Sequence, residues 1–151
     1  MLRTLKAAAV ATAVAAAGAL PLPACAQMAE RVYDQGPVWQ ISSIETRPGM
    51  FDDYMAYLAT TWRKSNELQK KRGDVLDYRV LAVDAPRDHE PDVILIIQYK
   101  NMAAFDRSLD DQDKDNALLF GSTPKSNQAA VSRESMRVLR GVMNTREIKF
   151  K

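Results

Sequence analysis

Apolar and polar residues alternate along four segments of the chain, and this pattern predicts four β-strands. The strands are predicted over 38–47, 75–84, 93–100 and 138–150, with Gly141 as a bulge in the last one. The third strand differs from the others because residues 93–97 are all apolar. Such a run predicts a strand that is covered on both faces of its sheet. In the second strand, alternation places Val75 with Asp77 and Arg79 on one face, and Leu76 with Tyr78 and Val80 on the other.

A helical period separates the first two strands. The apolar residues there are three or four positions apart and form one stripe: Phe51, Tyr54, Met55, Leu58 and Trp62. The stripe predicts an amphipathic helix over 49–72, with Gly73 as its C-terminal stop. Asp52 and Asp53 near its start, and the basic residues 70–72 near its end, complement the helix dipole.

Two shorter helices are predicted between the third and fourth strands. The first carries apolar residues at helical spacing: Met102, Phe105 and Leu109. Asn101 can cap this helix through its side-chain oxygen, and the helix is expected to fade in the acidic stretch 110–115. The second helix is predicted over 126–136. The segment 85–92 holds two prolines and several charges, so it is expected to be an exposed hairpin loop.

The resulting order, β-α-β-β-α-(α)-β, is the split βαβ or ferredoxin-like arrangement of the α+β class. It predicts a four-stranded antiparallel sheet with its helices on one face. The other face needs a cover, because the third strand is apolar on both sides. A second copy of the same sheet is the simplest cover, so a homodimer is expected.

The first 26 residues have the pattern of a secretory signal peptide. Arg3 and Lys6 precede an Ala-rich apolar run, and Ala24-Cys25-Ala26 fits a cleavage site before Gln27. A periplasmic or secreted location is therefore predicted. The segment 22–25 also resembles a bacterial lipobox, apart from Pro23, and in that alternative Cys25 would be lipidated and would anchor the protein to a membrane. A transmembrane helix is not expected, because no stretch reaches the roughly 20 apolar residues that a bilayer requires.

Composition limits the number of domains, the partners and the metal sites that the chain is expected to have. The chain has 151 residues, which predicts about one domain: a polar lead-in over 27–37 and a folded domain over 38–151. Without residues 1–26 it carries 19 basic and 19 acidic residues, so nucleic acid is not an expected partner. One Cys and one His exclude an internal disulfide framework and a Cys/His zinc site. Neither a metal nor a cofactor is predicted.

In element order, and in segments such as 38–41, 49–54 and 99–105, the chain resembles the dimeric α+β barrel superfamily. This superfamily includes cofactor-independent monooxygenases of antibiotic biosynthesis, haem-degrading enzymes and stress-responsive barrels. The resemblance implies two ferredoxin-like sheets paired into a barrel, and it identifies no catalytic signature. A protein haem ligand is not expected, because the only histidine, His89, falls in the loop between the second and third strands.

Six residues are candidates for lining a cleft between the helices and the sheet. Aromatic residues would wall such a cleft for a flat organic ligand, and tyrosine hydroxyls would orient the ligand. Asn66 could form a polar pair with Tyr54, and Arg79 could bind a carboxylate, as could Arg146. The six candidates are Trp39, Tyr54, Trp62, Asn66, Tyr78 and Arg79. Each also fits an ordinary structural role, in the core or at the sheet surface.

Other candidate chemistry is weak. The acidic stretch 111–116 resembles the start of a calcium loop, but it lacks the Gly at position six and the Glu at position twelve. His89 could shuttle a proton, although its polar loop offers no walled pocket. Three functions stay open, and no catalytic residue is assigned. A small-molecule-binding protein is favoured over a cofactor-independent monooxygenase or isomerase, and over an interaction or structural protein.

Overall fold

The computed structural model describes residues 30–151, of which Arg31–Lys151 form one compact unit. The predicted signal peptide and the predicted lipidation of Cys25 fall outside the described residues. No helix in the described part of the chain is long and apolar enough to cross a membrane.

The described residues form a four-stranded antiparallel sheet with the strand order β2-β3-β1-β4. The strands are β1 (Tyr33–Thr46), β2 (Val75–Ala82), β3 (Val93–Tyr99) and β4 (Arg137–Phe150). The first strand therefore lies in the middle of the sheet, and the last strand pairs with it. With the helices on one face, this is the predicted ferredoxin-like α+β fold.

The helix between β1 and β2 is continuous but not uniform. It consists of α1 (Phe51–Tyr57), a π-helical segment (Leu58–Trp62) and α2 (Arg63–Arg72), and we call the whole the α1–α2 helix. In the π segment the Arg63 N–H donates to the Leu58 carbonyl, five residues back. Thr60 favours this loosening because its hydroxyl donates to the Ala56 carbonyl at 2.7 Å and competes for it. Gly73 ends the helix in a left-handed conformation (φ 88°), as predicted.

Two helical predictions after β3 need correction. Asn101 does act as a cap, its side chain accepting from the Ala103 N–H, but it starts only a short 3₁₀ helix (Met102–Phe105). The acidic stretch does not end a helix; it lies inside α3 (Leu109–Phe120). Ser108 caps α3 by accepting from the Asp111 N–H, and acidic side chains suit the positive end of a helix. The last helix, α4 (Thr123–Met136), starts three residues earlier than predicted.

β1 also begins earlier than predicted, because Gly36 and Pro37 lie inside it rather than before it. The pairing of β1 with β4 shifts between Gln35 and Val38, so Pro37, which has no N–H, sits at an irregular point of the ladder. A Cβ on Gly36 would lie 3.0 Å from the Glu147 Cβ, which explains the glycine there. The polar lead-in is thus partly strand.

Irregular pairing also affects β2 and β4. A shift between Val75 and Asp77 places the buried Val75 on the same face as Tyr78, not with Asp77 as alternation predicts. The pairing of β1 with β4 shifts after Ser43↔Gly141, which confirms the predicted bulge.

The core lies between the sheet and the α1–α2 helix. One buried cluster consists of Ile44, Tyr54, Leu58, Val93 and Leu95. A second consists of Val38, Val75, Ile97 and Tyr99. Full burial of one such aliphatic side chain contributes about 1.5–3 kcal/mol to the free energy of unfolding. Along β3, buried and half-buried residues alternate strictly, so its second apolar face is less well covered than the first.

Candidate functional site

Trp62 is a side chain that two candidate cavities share. It is the last residue of the π segment, and it lines two cavities on different sides of the α1–α2 helix. π-Helical turns are rare and often occur at functional sites, because the extra residue re-aims the side chains around it.

The first cavity, called here the interhelical cavity, lies between the α1–α2 helix and the pair α3 and α4. Its volume is about 320 Å³. Aromatic side chains of the α1–α2 helix and α3 form one part of its wall: Tyr57, Trp62 and Phe120. Small and polar residues of α4 form another part: Ser126, Ala129, Ala130 and Arg133. The cavity thus combines flat apolar walls with a cationic group.

Hydrogen bonds fix the polar side of this cavity. The Ser126 hydroxyl donates to Asn116 Oδ1 at 3.0 Å and ties α4 to α3. Arg107 is held by Asp115, with Nη1 and Oδ2 2.5 Å apart, and also donates to the Asp111 carbonyl. Burial acts to lower the pKa of Arg133, but contacts with the Tyr57 hydroxyl and Glu134 hold that pKa above its ordinary value. Arg133 is therefore charged at any physiological pH.

The second cavity, called here the helix–sheet groove, lies between the α1–α2 helix and β2. It has a volume of about 330 Å³ and is mainly apolar, with Met55, Leu58, Trp62, Tyr78 and Val80 among its lining residues. Trp62 and Tyr78 meet edge to face, with ring centroids 5.3 Å apart. The Tyr78 hydroxyl donates to Glu67 at 2.5 Å, and this bond raises the pKa of Tyr78.

This groove corresponds to the cleft predicted from the sequence, and the structure brings three of the six candidates to it or beside it. Trp62 and Tyr78 line the groove. Asn66 is 1% exposed and donates to the Trp62 carbonyl at 2.9 Å. Its Oδ1 is one of two buried side-chain N and O atoms in residues 30–151 that have no hydrogen-bond partner. Asn66 is thus a buried support for Trp62 and lines neither cavity.

Tyr54 is placed elsewhere. Its side chain is fully buried (0% exposed), and its hydroxyl accepts a hydrogen bond from Arg137 Nη1 at 3.0 Å. Burial raises the pKa of Tyr54, and Arg137 partly offsets this effect. Twelve residues at about 1.5 Å each separate Tyr54 from Asn66 by about 18 Å along the helix. The predicted polar pair of Tyr54 and Asn66 therefore does not form.

Trp39 and Arg79 lie on the face of the sheet opposite the helices. Trp39 pairs with Gln98, and Arg79 with Ile96, whereas the buried positions of β3 face the core. The Trp39 indole donates to Glu147 at 3.0 Å, and Arg79 Nε lies 3.2 Å from Asp77. Neither can line the groove, because alternate residues of a strand point to opposite faces.

The other candidates stay apart from both cavities. His89 has a positive φ of 63° in the exposed loop, and its Nδ1 lies 3.3 Å from Arg140. Within residues 30–151, no group of three or more His, Cys, Asp or Glu side chains could hold a metal ion. The acidic stretch that resembles a calcium loop is helical.

Two important residues of the interhelical cavity, Tyr57 and Arg133, were missed by sequence reasoning. A signal was present, because Ala129, Ala130 and Arg133 recur at helical spacing on α4 and form a stripe of small residues that ends in a cation. Nothing in the sequence tells which helix faces that stripe.

Comparison with known proteins supports the fold. No protein-family model matches the chain, and no curated protein matches it significantly. Among solved structures, HapK from Hahella chejuensis is similar with a TM-score of 0.51 and 12% identity, over 73% of this chain and 91% of that one.

Two further structures are similar at lower scores. A dimeric ferredoxin-like protein from an uncultured marine organism has a TM-score of 0.47 and 8% identity, over 78% of this chain and 90% of that one. A candidate antibiotic biosynthesis monooxygenase from Bacteriodes thetaiotaomicron has a TM-score of 0.40 and 18% identity, over 77% and 88%. The similarity to HapK confirms the predicted resemblance for the fold alone, and no catalytic family is identified.

Proposed function

We propose that this protein binds a small, flat organic molecule in the interhelical cavity. The observation that carries the proposal is the cavity itself, with aromatic walls from Tyr57, Trp62 and Phe120 around a volume of about 320 Å³. Ligand pockets typically span about 300–1,000 Å³ and combine apolar walls with few polar groups, so this cavity suits a ligand of one or two rings.

Trp62 makes the proposal testable by fluorescence. The chain has two tryptophans, and Trp39 lies on the opposite face of the sheet. In a Trp39→Phe background the remaining emission comes from Trp62, a wall of the cavity. We expect 2-naphthol, a neutral bicyclic probe, to quench this emission in a saturable way.

A cavity-filling variant separates specific binding from surface adsorption. Ala130→Phe places a ring in the cavity and is expected to abolish the quenching. Ala117→Phe adds the same ring at an exposed position of α3 and should leave the quenching unchanged. Equal quenching in both variants would show that the probe does not bind in the interhelical cavity.

Binding is preferred to a cofactor-independent monooxygenase or isomerase because the predicted polar pair of Tyr54 and Asn66 does not form. Catalysis requires a nucleophile or base within hydrogen-bond reach of a partner that orients it. Tyr54, one member of the predicted polar pair, is instead bonded to Arg137 in the core.

The homodimer belongs to the same proposal, with the open face of the sheet as its interface. The open face is the face opposite the helices, and no helix of residues 30–151 covers it. Its central row consists of the apolar residues Ile96, Ile41 and Met143, and ends at Arg79 on the edge strand β2. Charged pairs stand at its edges, among them Asp77 with Arg79 and Glu45 with Arg140. An apolar centre with a polar rim is the usual anatomy of an interface.

Met143 provides the test, because its side chain is 55% exposed and can be changed with little effect on folding. We expect the wild-type protein to be a dimer by light scattering coupled to gel filtration, and Met143→Glu to be a monomer. Val131→Glu introduces the same charge on exposed α4 and should remain dimeric. A wild-type monomer at high concentration would refute the interface.

We also propose that the protein is exported, and this part of the proposal rests on the sequence of residues 1–26 alone. Intact-mass measurement of protein recovered from the producing cell tests it. A mature chain that starts at Gln27 is expected for the soluble form, whereas a lipid-modified chain that starts at Cys25 would indicate a membrane anchor. An uncleaved chain would contradict both.

A further inference from the structure

Among the described residues that line the interhelical cavity, two are arginines, and their charges are compensated differently. Arg107 is neutralised, because Asp115 Oδ2 lies 2.5 Å from its Nη1. Asp115 also accepts from Arg72 at 3.0 Å, and Arg72 pairs in addition with Asp74, so two carboxylates balance the two guanidinium groups at this end of the cavity.

Arg133 has a weaker counterion. Its Nε donates to Glu134 Oε1 at 3.1 Å, but the same oxygen accepts from Arg137 Nη2 at 3.0 Å. Two guanidinium groups therefore share one carboxylate, which is itself 49% exposed. A third cation, Arg47, adds its Nε at 3.4 Å from the Glu134 carbonyl.

Arg137 cannot relieve this imbalance. Its other contact is the neutral hydroxyl of Tyr54, and its own Nε is buried without a hydrogen-bond partner. The end of the cavity at Arg133 thus carries an excess positive charge. A cation beside a half-buried cavity attracts an anion more strongly than one in open water, because screening by solvent is weaker there.

We propose that the ligand of the interhelical cavity is a flat aromatic monoanion, with its carboxylate on Arg133 and its ring against Trp62 and Tyr57. This inference rests on the proposed binding function and narrows its ligand class. A guanidinium group binds a carboxylate with two parallel hydrogen bonds, which fixes the plane of the ligand. A dianion fits less well, because the Arg107 end offers no free positive charge.

The test compares two probes of the same shape, 2-naphthoate and 2-naphthamide, by quenching of Trp62 in the Trp39→Phe background. We expect the carboxylate to bind about ten- to a hundredfold more tightly than the amide, the range typical of hydrogen bonds to a charged group. Arg133→Met should remove this preference, so that the two probes bind with similar affinity. Lys125→Met, which removes an exposed cation from the same helix, should retain the preference.

The outcomes separate the two proposals. Equal affinity of the wild-type protein for both probes would refute the anion selectivity and leave the cavity proposal intact. Failure of both probes to bind would refute the cavity proposal and the ligand class with it. A preference that persists in Arg133→Met would refute the role of Arg133. If Arg133→Met does not fold by circular dichroism, Arg133→Lys replaces it and should weaken the preference, because a lysine cannot form the two parallel bonds.

Discussion

Tyr54→Phe removes a single oxygen atom from the most buried part of the core. The ring stays, so no large cavity opens and the stacking on Tyr57, with centroids 5.9 Å apart, is kept. What is lost is the hydrogen bond from Arg137 Nη1 at 3.0 Å. Arg137 then retains Glu134 on one side, while its Nε is already without a partner.

The expected loss follows from the charge on Arg137. A hydrogen bond to a charged group contributes about 1.5–3 kcal/mol to the free energy of unfolding, and the donor left behind is buried. We therefore expect Tyr54→Phe to lower this free energy by about 1.5–3 kcal/mol at neutral pH. Tyr33→Phe removes the same atom from an exposed side chain and should change it by less than about 0.5 kcal/mol.

The pH dependence provides a second readout with a defined sign. Burial raises the pKa of Tyr54, so below about pH 10 its hydroxyl is neutral in both states and its contribution is complete. Above that pH the unfolded chain loses the proton first, and the free energy of unfolding falls as pH rises towards the folded pKa. Tyr54→Phe lacks this proton, so its decline should be shallower by up to about 1.4 kcal/mol per pH unit.

Urea denaturation followed by circular dichroism at about pH 8 and about pH 11 measures both effects. A loss below about 0.5 kcal/mol at the lower pH would mean that the bond to Arg137 contributes nothing net. An unchanged slope at the higher pH would mean that Tyr54 ionises equally easily in both states, and would contradict the buried environment described above.

Two local predictions follow from caps and close approaches, both measured as changes in urea midpoint. Ser108→Ala removes the cap of α3 and should cost about 1 kcal/mol, whereas the same change at exposed Ser135 should cost less; equal costs would refute the capping role. Gly36→Ala brings a Cβ to 3.0 Å from Glu147 and should lower stability by about 1–3 kcal/mol, while Gly36→Ala combined with Glu147→Ala should recover part of the loss. No recovery in the double variant would show that Glu147 is not the obstacle.

Much of the fold could be predicted because local patterns and global packing agree. The stripe of the α1–α2 helix and the apolar run of β3 both became core. Predictions failed where a distant residue changes the local balance. The acidic stretch was expected to end a helix, yet Asp115 within it is paired with both Arg107 and Arg72, and Arg72 is separated from it by 43 residues. The sequence alone does not show that Arg72 lies beside Asp115.

The candidate site was predictable to a smaller extent, for a related reason. Alternation shows which residues share a face of a strand, but it does not show which of the two faces lies against the helices. Trp39 and Arg79 were therefore assigned to the cleft although they lie on the open face. The irregular pairing at Val75 shifted the faces of β2 as well. Trp62 and Tyr78 do line the helix–sheet groove, because one lies on the amphipathic helix and the other on the strand that follows it.

Because β1 lies between β3 and β4, the sheet cannot be completed until β4 has been synthesised. β1 is synthesised first. The Trp39 indole, however, cannot form its hydrogen bond until Glu147, which lies 108 residues further along the chain, has been synthesised. Until the 14 residues of β4 arrive, β1 is an edge strand with unpaired backbone groups, open to pairing with other chains. Such distant pairing is slow to form. Loss of β4 by clipping at the C-terminus would therefore make β1 the edge of the sheet and expose it to pairing with other chains, whereas a cut in the loop before β3 would leave every strand in place.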